Sequence, residues 1–237
     1  MGKITHLTRD EFETPEGRKA AWKSLMLEDH GVLRKIYDNS HQISDEMWRS
    51  YQPSPAKIRE WREKHGVQTI INLRGIREEG PQPAFYWLEE EACRENGIKL
   101  VNFRAFSREA PHKEFIAGID DLFRTMAYPA MMHCKSGADR AGISSVLYKF
   151  LREGTSLADA REQLTFKYGH VKAGKTGVLG FFFDVYEAAA KVDCVEPNRE
   201  HFLAWAASDA YDPKAVTAAF KAGKMGSFIT DTVLRRE

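Results

Sequence analysis

Met132-His133-Cys134-Lys135-Ser136-Gly137-Ala138-Asp139-Arg140-Ala141-Gly142 sets a cysteine and an arginine at the two ends of a short, glycine-containing loop. Residues 128–132 before it are apolar, and residues 141–151 after it have a helical pattern. Strand, tight loop and helix is the layout that turns backbone amides toward an anion, because the first turn of a helix has donors without intrahelical partners. A cysteine at the start of such a loop sits in positive potential, which favours the thiolate. Arg140 has the planar fork that grips two oxygens of one anion. Nucleophile, cradle and clamp together point to phosphoryl transfer through a phosphocysteine.

His133, Cys134, five residues, then Arg140, with Gly137 inside the loop, resembles the signature of the cysteine-dependent protein tyrosine phosphatase superfamily. The compact dual-specificity branch is the best fit, particularly relatives whose loop also reads Cys-Lys-Ser-Gly-Ala-Asp-Arg. The resemblance covers residues 48–152 well and extends more weakly beyond. It implies Cys134 as nucleophile, Arg140 as phosphoryl-binding residue and His133 as support for the thiolate, with Lys135, Ser136, Gly137, Ala138 and Asp139 completing the phosphate loop. The superfamily commonly has serine or threonine after the arginine, where the hydroxyl helps the cysteine leave. Here Ala141 stands there, and Ser144 and Ser145 one turn on are poorly placed substitutes.

A proton donor for the leaving oxygen is also needed. The resemblance puts it on a loop ahead of the cysteine, and Glu109 is the only carboxylic side chain in Phe106-Ser107-Arg108-Glu109-Ala110-Pro111. Asp139, Glu78, Glu79 and His112 are its rivals. Glu109 has a plainer reading, as a charge favouring the first turn of the next helix, and Asp139 has one as a brace accepting loop amides.

The rest of the chain reads as alternating strands and helices, which predicts an α/β fold. The type expected is that of the protein tyrosine phosphatases: a central, mostly parallel sheet flanked by helices, with N- and C-terminal helical additions. Residues 1–40 read as an N-terminal polar segment and helical extension, 41–190 as the catalytic domain, and 191–237 as a C-terminal helical extension packed on the same domain. In detail, residues up to 16 read as polar and mobile, and 17–37 as a helix interrupted near Gly31. Its apolar Trp22, Leu25, Met26, Leu33 and Ile36 are flanked by Arg18, Lys19, Lys23, Arg34 and Lys35, so packing on the domain is favoured over a membrane surface. Strands are expected at 43–49, 67–73, 98–103 and 129–133. Helices are expected at 55–64 behind Ser54, 83–95, 111–126, 141–152, from Thr155 or Ser156 to 168, 176–190 with Thr176 as cap, 198–207 and 213–222. Ligand sites lie beyond the C-terminal ends of parallel strands, which collects the loops 74–80, 104–111 and 134–140 at one face.

Arg74, Arg77, Arg104 and Arg108 on those loops, with Lys135, form a candidate basic rim for a substrate with more than one phosphate. Glu78, Glu79 and Glu109 are available to neutralise it. Phe85, Tyr86, Phe103 and Phe106 are candidate walls of an aryl slot, although core packing is their commoner job. The expected substrate is a phosphorylated protein or a small polyphosphate; phosphoinositides and inositol pyrophosphates follow from the resemblance.

With 35 Lys+Arg against 34 Asp+Glu the net charge is +1, and nothing calls for a nucleic-acid partner. Three cysteines, Cys93, Cys134 and Cys194, make neither a metal cluster nor a disulfide framework, and a cytoplasmic setting is expected, with no cofactor and no metal. Gly174-Lys175-Thr176-Gly177 lacks the strand and glycine spacing of a nucleotide loop. It reads as a helix start, or as a lid bringing His170 and Lys175 toward the pocket. Two other classes stay open: a phosphate-binding protein with the same fold but little turnover, and a sulfurtransferase with a cysteine among amides. A metallophosphatase is disfavoured by the absence of an Asp/His ligand pattern.

Overall fold

The computed structural model describes residues 4–34 and 36–229. Lys35, one of the basic residues named above, lies outside them, as do residues 1–3 and 230–237. The chain divides into two compact units, Met1–Arg104 with Ala127–Gly137, and Ala105–Met126 with Ala138–Glu237.

The first unit holds the strands: β1 (His6–Leu7), β2 (His41–Ser44), β3 (Met47–Ser50), β4 (Thr69–Asn72), β5 (Gln82–Pro83), β6 (Lys99–Asn102) and β7 (Ala130–His133). Five form one sheet in the order β2-β3-β7-β4-β6, parallel except for the β2–β3 pair. Central parallel strands are covered on both faces and read as continuous apolar runs. All four residues of β4, Thr69-Ile70-Ile71-Asn72, and of β7, Ala130-Met131-Met132-His133, are accordingly buried. Ile70 and Met131 pack with Ile58 and Trp61 of the helix Pro55–His65, Ala92 and Cys93 of the helix Ala84–Glu95, and Ile98 just ahead of β6. The Pro55–His65 helix starts as its sequence dictates. Ser54 accepts the Lys57 amide, Pro55 occupies the first turn, and Gly66 ends it in the left-handed conformation (φ 64°).

Two expectations are corrected in this unit. Residues 43–49 are not one strand but the turn and arms of a hairpin, β2 and β3, with a bulge between Gln42 and Ser44. Ser44 marks the reversal, its hydroxyl accepting the Glu46 amide at 3.3 Å. Nor are residues 4–16 featureless. Thr8 and Glu11 form a reciprocal capping box on the Arg9–Glu13 helix, and Thr14 caps Pro15–Lys23. The helix expected over 17–37 with an interruption near Gly31 begins at Pro15–Lys23, continues through a π turn at Ser24–Glu28, breaks there and resumes at Gly31–Arg34.

The second unit is helical: Lys113–Thr125, Asp139–Leu147 with a π turn at Tyr148–Arg152, Leu157–Ala160, Val178–Val192, Arg199–Ala207, Pro213–Lys221 and Met225–Phe228. Aromatic rings fill its interior, with Phe182 5.9 Å from Phe202, 5.8 Å from Trp205 and 5.4 Å from Tyr211. The helix expected to run to residue 168 stops at Ala160 and passes into short 3₁₀ turns, with Ser156 as its cap. Thr176 is not a cap; it lies in the 3₁₀ turn Lys175–Gly177 that leads into Val178–Val192. Among the described residues, no helix is long and apolar enough to cross a membrane.

Candidate active site

The loop starts where three parallel strands end. Ser50 and Asn72 are both register partners of His133, and the next residue, Cys134, is buried with its amide donating to the Ser50 carbonyl at 3.3 Å. The three following carbonyls are all taken up by the surrounding protein. Gln52 N–H donates to Lys135 O (3.3 Å), Asn39 Nδ2 to Ser136 O (2.8 Å) and Arg49 Nη2 to Gly137 O (2.7 Å). The amides of Lys135, Ser136 and Gly137 have no partner among the described residues. A peptide unit joins one residue's carbonyl to the next residue's N–H, so holding the Lys135 and Ser136 oxygens on one side turns the Ser136 and Gly137 amides to the other, and successive amides of this kind make an anion-binding concavity.

Gly137 has φ +75°, and a Cβ there would lie 2.9 Å from Asn39 O and 3.0 Å from both Asn39 Nδ2 and the Ser50 carbonyl carbon. Both the backbone conformation and the crowding require glycine. Gly137→Ala is expected to cost about 1–3 kcal/mol of stability and to weaken inorganic phosphate binding. Urea unfolding and phosphate competition check the two effects separately.

Beneath the loop runs a chain of buried polar contacts that sequence reading missed. His133 Nε2 lies 2.6 Å from Glu89 Oε1, with both side chains buried, and its Nδ1 lies 3.4 Å from the Cys134 carbonyl oxygen. Gln52 Nε2 donates to Glu89 Oε2 at 2.6 Å and its Oε1 accepts from Arg74 Nη1 at 2.9 Å. Arg74 then grips Asp29 through two bonds of 2.8 and 2.9 Å and stacks on Phe85. Asp29 also pairs with Arg34 (2.6 Å) and faces Lys135 Nζ at 3.8 Å. Burial would push the Asp29 carboxyl up, but Arg74 and then Arg34 hold it below its ordinary value.

The expected basic rim is thus not a single feature. Arg74 is paired with Asp29, not with Glu78, Glu79 or Glu109. Arg77 lies on a turn closed on itself by Gln82, whose side chain bonds the Arg77 amide (2.9 Å) and carbonyl (3.1 Å). Arg104 is exposed, with its Cβ where a side chain on Gly75 would have to go. Arg108 belongs to the second unit, where it lines a cavity.

In the second unit, Ala138 and Asp139 open the Asp139–Leu147 helix, whose first bond runs from the Gly142 amide to the Ala138 carbonyl at 2.8 Å. Arg140 occupies its first turn. Asp139 Oδ1 lies 2.8 Å from Nδ1 of the buried His170, so the carboxylate has a side-chain partner rather than serving the loop amides. Ala141 is buried, and the Ser145 hydroxyl is committed to the Ala141 carbonyl at 2.7 Å. Ser144 Oγ is buried without a partner among the described residues.

Glu109 is partly exposed, 3.7 Å from His112 Nε2, and His112 stacks on Phe106. The helix that follows starts at Lys113, and its acidic first-turn residue is Glu114, so Glu109 is not spent on that helix end. Two bonds from downstream fix this loop. Ala110 N–H donates to Thr217 Oγ1 at 2.8 Å, and Tyr211 Oη donates to the Pro111 carbonyl at 2.6 Å.

All three cysteines are free. Cys93 packs in the Ile70–Met131 cluster, where burial, with Glu89 and Glu90 nearby, pushes its thiol up. Among the described residues no group of three His, Cys, Asp or Glu side chains is placed to hold a metal ion.

Residues 28–176 match the family model described as PTP-NADK, a DSP-PTPase phosphatase fused to NAD+ kinase. No curated protein matches the chain. Among solved structures, P. aeruginosa TpbA is similar at 15% identity, covering 78% of this chain and 92% of that one with a TM-score of 0.43. PTPMT1 is similar at 16% identity, with coverages of 64% and 99% and a TM-score of 0.45. Human DUSP28 is similar at 14% identity, with coverages of 63% and 95% and a TM-score of 0.42.

Proposed function

The chain belongs to the DSP-PTPase phosphatase family that residues 28–176 match, and from that premise we propose that it hydrolyses phosphomonoesters through a phosphocysteine on Cys134. The observation that carries this reading is the orientation of the loop peptides. The Lys135 and Ser136 carbonyls are held by Gln52 and Asn39, which turns the N–H groups of the same two peptide units, those of Ser136 and Gly137, the other way, and among the described residues these amides have no partner. Such amides match the oxygens of a phosphoryl group, over which the charge of the transition state is spread.

In the first step the Cys134 thiolate attacks phosphorus in line with the ester oxygen. The S–P bond forms and the P–O bond breaks. Arg140, six positions along the motif, binds two of the remaining oxygens. Glu109 delivers a proton to the leaving oxygen, its carboxyl not being tied to the helix that follows. In the second step water attacks phosphorus, the carboxylate takes a proton from it, and the thiolate departs, leaving inorganic phosphate. Ala141 offers that thiolate no hydroxyl and Ser145 is engaged, so hydrolysis of the intermediate is the slower step. Phosphotyrosine-like aryl esters serve as substrates in this reading, and a reducing, cytoplasmic setting keeps the nucleophile competent.

Metal-free protein incubated with an aryl phosphate and quenched in acid is expected to release phosphate over many turnovers and to carry a phosphoryl group on the Cys134 peptide. A phosphorylated peptide with a single turnover selects the phosphate-binding alternative. Neither release nor a trapped group overturns the proposal, and sulfur transfer from thiosulfate replaces it with the sulfurtransferase reading.

Glu89 enters as a positioning residue. A carboxylate 2.6 Å from His133 Nε2 holds the ring in place and sets a fixed negative charge behind the nucleophile's neighbour. Glu89→Gln keeps the shape and removes the charge. Its expected effect is a roughly tenfold slower alkylation of Cys134 by iodoacetamide at fixed pH, and a similar fall in kcat/KM. Peptide-resolved mass spectrometry separates Cys134 from the exposed Cys194. An unchanged alkylation rate in folded protein rules the role out.

A further inference from the structure

The stretch from Pro15 to Tyr37 is apolar on two sides. Gly17, Ala21, Ser24 and Leu25 follow one another at helical spacing and are buried. Ala21 and Leu25 pack with Phe12, Ala84, Phe85 and Leu88, and Arg18 is tied to Glu91 by bonds of 2.7 and 2.8 Å. The packing expected from the sequence is therefore present, but it uses this face alone. The opposite face carries Lys19, Trp22, Lys23 and Leu27, all exposed. A Cβ on Gly31 would lie 2.5 Å from the Leu25 carbonyl oxygen and 3.1 Å from Met26 Cα, so the Gly31–Arg34 helix is folded back on the π turn. Arg34 is taken up by the buried Asp29 (2.6 Å), while Val32, Ile36 and Tyr37 stay exposed.

Ten large apolar side chains are exposed among the described residues, and five of them fall between residues 22 and 37. These are Trp22, Leu27, Val32, Ile36 and Tyr37, each 43 to 86% exposed. Single exposed apolar residues need no explanation, whereas a concentration of them marks an interaction surface. The charges in the same stretch leave a positive surplus. Glu13 pairs with Arg9 (2.9 Å), Glu28 accepts from Thr5 (2.8 Å), Asp29 is buried, and Asp38 pairs with Lys57 (3.5 Å). Lys19 and Lys23 make no ion pair or hydrogen bond among the described residues, and Glu16 is the one acid of the stretch left over against them.

We infer that this face seats the protein on a membrane surface rich in anionic lipid, lying on the bilayer rather than crossing it. Trp22 and Tyr37 are the ring types that settle at headgroup level. Leu27, Val32 and Ile36 supply apolar surface for the acyl boundary. Lys19 and Lys23 lie along that surface with their ammonium groups at the headgroups, where each lysine adds attraction to a negative leaflet and salt weakens it. A protein interface needs shape complementarity, whereas a headgroup layer moulds itself around projecting side chains. Every residue of this face lies outside the Cys134 loop, and its role is separate from the proposed phosphatase chemistry.

The test is co-sedimentation of the full chain with vesicles of phosphatidylcholine alone and of an equimolar phosphatidylcholine–phosphatidylserine mixture, at low and high salt. Two double variants accompany it, Trp22→Ser/Leu27→Ser and Lys19→Glu/Lys23→Glu, at exposed positions where substitution is expected to leave the thermal midpoint unchanged. The native chain is expected to bind the mixed vesicles at least about tenfold more tightly than the neutral ones, and to be released by salt. Each double variant is expected to lose at least about tenfold in binding to the mixed vesicles. Ile36→Ser, at the most exposed of the five side chains, is expected to lose about threefold and stands in for a double variant that fails to fold. No binding to the mixed vesicles, equal binding to the two kinds, or unchanged binding in either folded double variant overturns the inference. A native dimer in sedimentation velocity that the serine variant converts to monomer assigns the face to a second copy, and overturns it too.

Discussion

Cys134→Ser is expected to lower kcat for an aryl phosphate by at least about 10³-fold, the scale on which removal of a covalent nucleophile acts. Inorganic phosphate should still bind. Serine replaces sulfur with a hydroxyl that is a poor nucleophile without an adjacent base, yet it alters neither the loop carbonyls nor the amides of residues 135–137. The substitution therefore separates chemistry from capture. Steady-state phosphate release measures the first, and competition by inorganic phosphate against a fluorescent phosphate analogue measures the second. Loss of both in a folded variant would mean that sulfur is needed for the loop conformation itself. Retained turnover would move the nucleophile elsewhere.

Asp29→Asn is expected to produce the largest loss of stability. Its side chain is fully buried and holds Arg34 and Arg74 at hydrogen-bonding distance, with Lys135 nearby. Removing one charge from a buried cluster leaves the others uncompensated, a cost of about 3–5 kcal/mol. The pH dependence follows from the direction of the shift. Arg74 and Arg34 outweigh burial and hold the folded carboxyl below its unfolded value of about 3.9. Folding therefore takes up stability from this group above that unfolded value and loses it as the pH falls through the folded one. Native protein should accordingly show an acid unfolding transition that Asp29→Asn flattens. Denaturant midpoints from pH 7 down to pH 3 read the effect. A variant whose stability falls in parallel with the native curve over that range would show that another group governs acid unfolding.

Asp29 and Glu89 illustrate where sequence reading stopped. The strand-loop-helix around Cys134 was legible because its parts are contiguous: an apolar run, a glycine with special backbone needs, and an arginine at fixed spacing. β4, β6 and the Pro55–His65 helix were legible for similar local reasons, β-branched residues in the strand and Ser-Pro at the helix start. Glu89 opens the run Glu89-Glu90-Glu91, which looks like a solvated face. Only the helical phase it shares with Phe85, Leu88, Ala92 and Cys93 turns it inward, and that phase was a usable signal. Thr8-Arg9-Asp10-Glu11 carried an equally readable capping box. Asp29 carried no such signal. It reaches Arg74 from 45 positions away, and pairing between distant charges leaves no periodic mark on either segment. Arg49 was hidden differently. The strand expected over 43–49 assigns Arg49 no partner, whereas the hairpin makes it a buried residue of β3 that holds Gly137.

The bonds from Thr217 and Tyr211 to the Glu109 loop bear on how such a protein can diverge. The family match ends at residue 176, but Ala110 and Pro111 are secured by partners 107 and 100 positions downstream. Selection on the placement of the Glu109 loop is thereby felt in the helices, and in the turn between them, that lie outside the matched region. Those helices are free to change in surface and length where they face solvent. They are not free to shift their register on the loop, so lineages that lengthen or shorten the tail must keep a hydroxyl at each anchor or hold the loop another way.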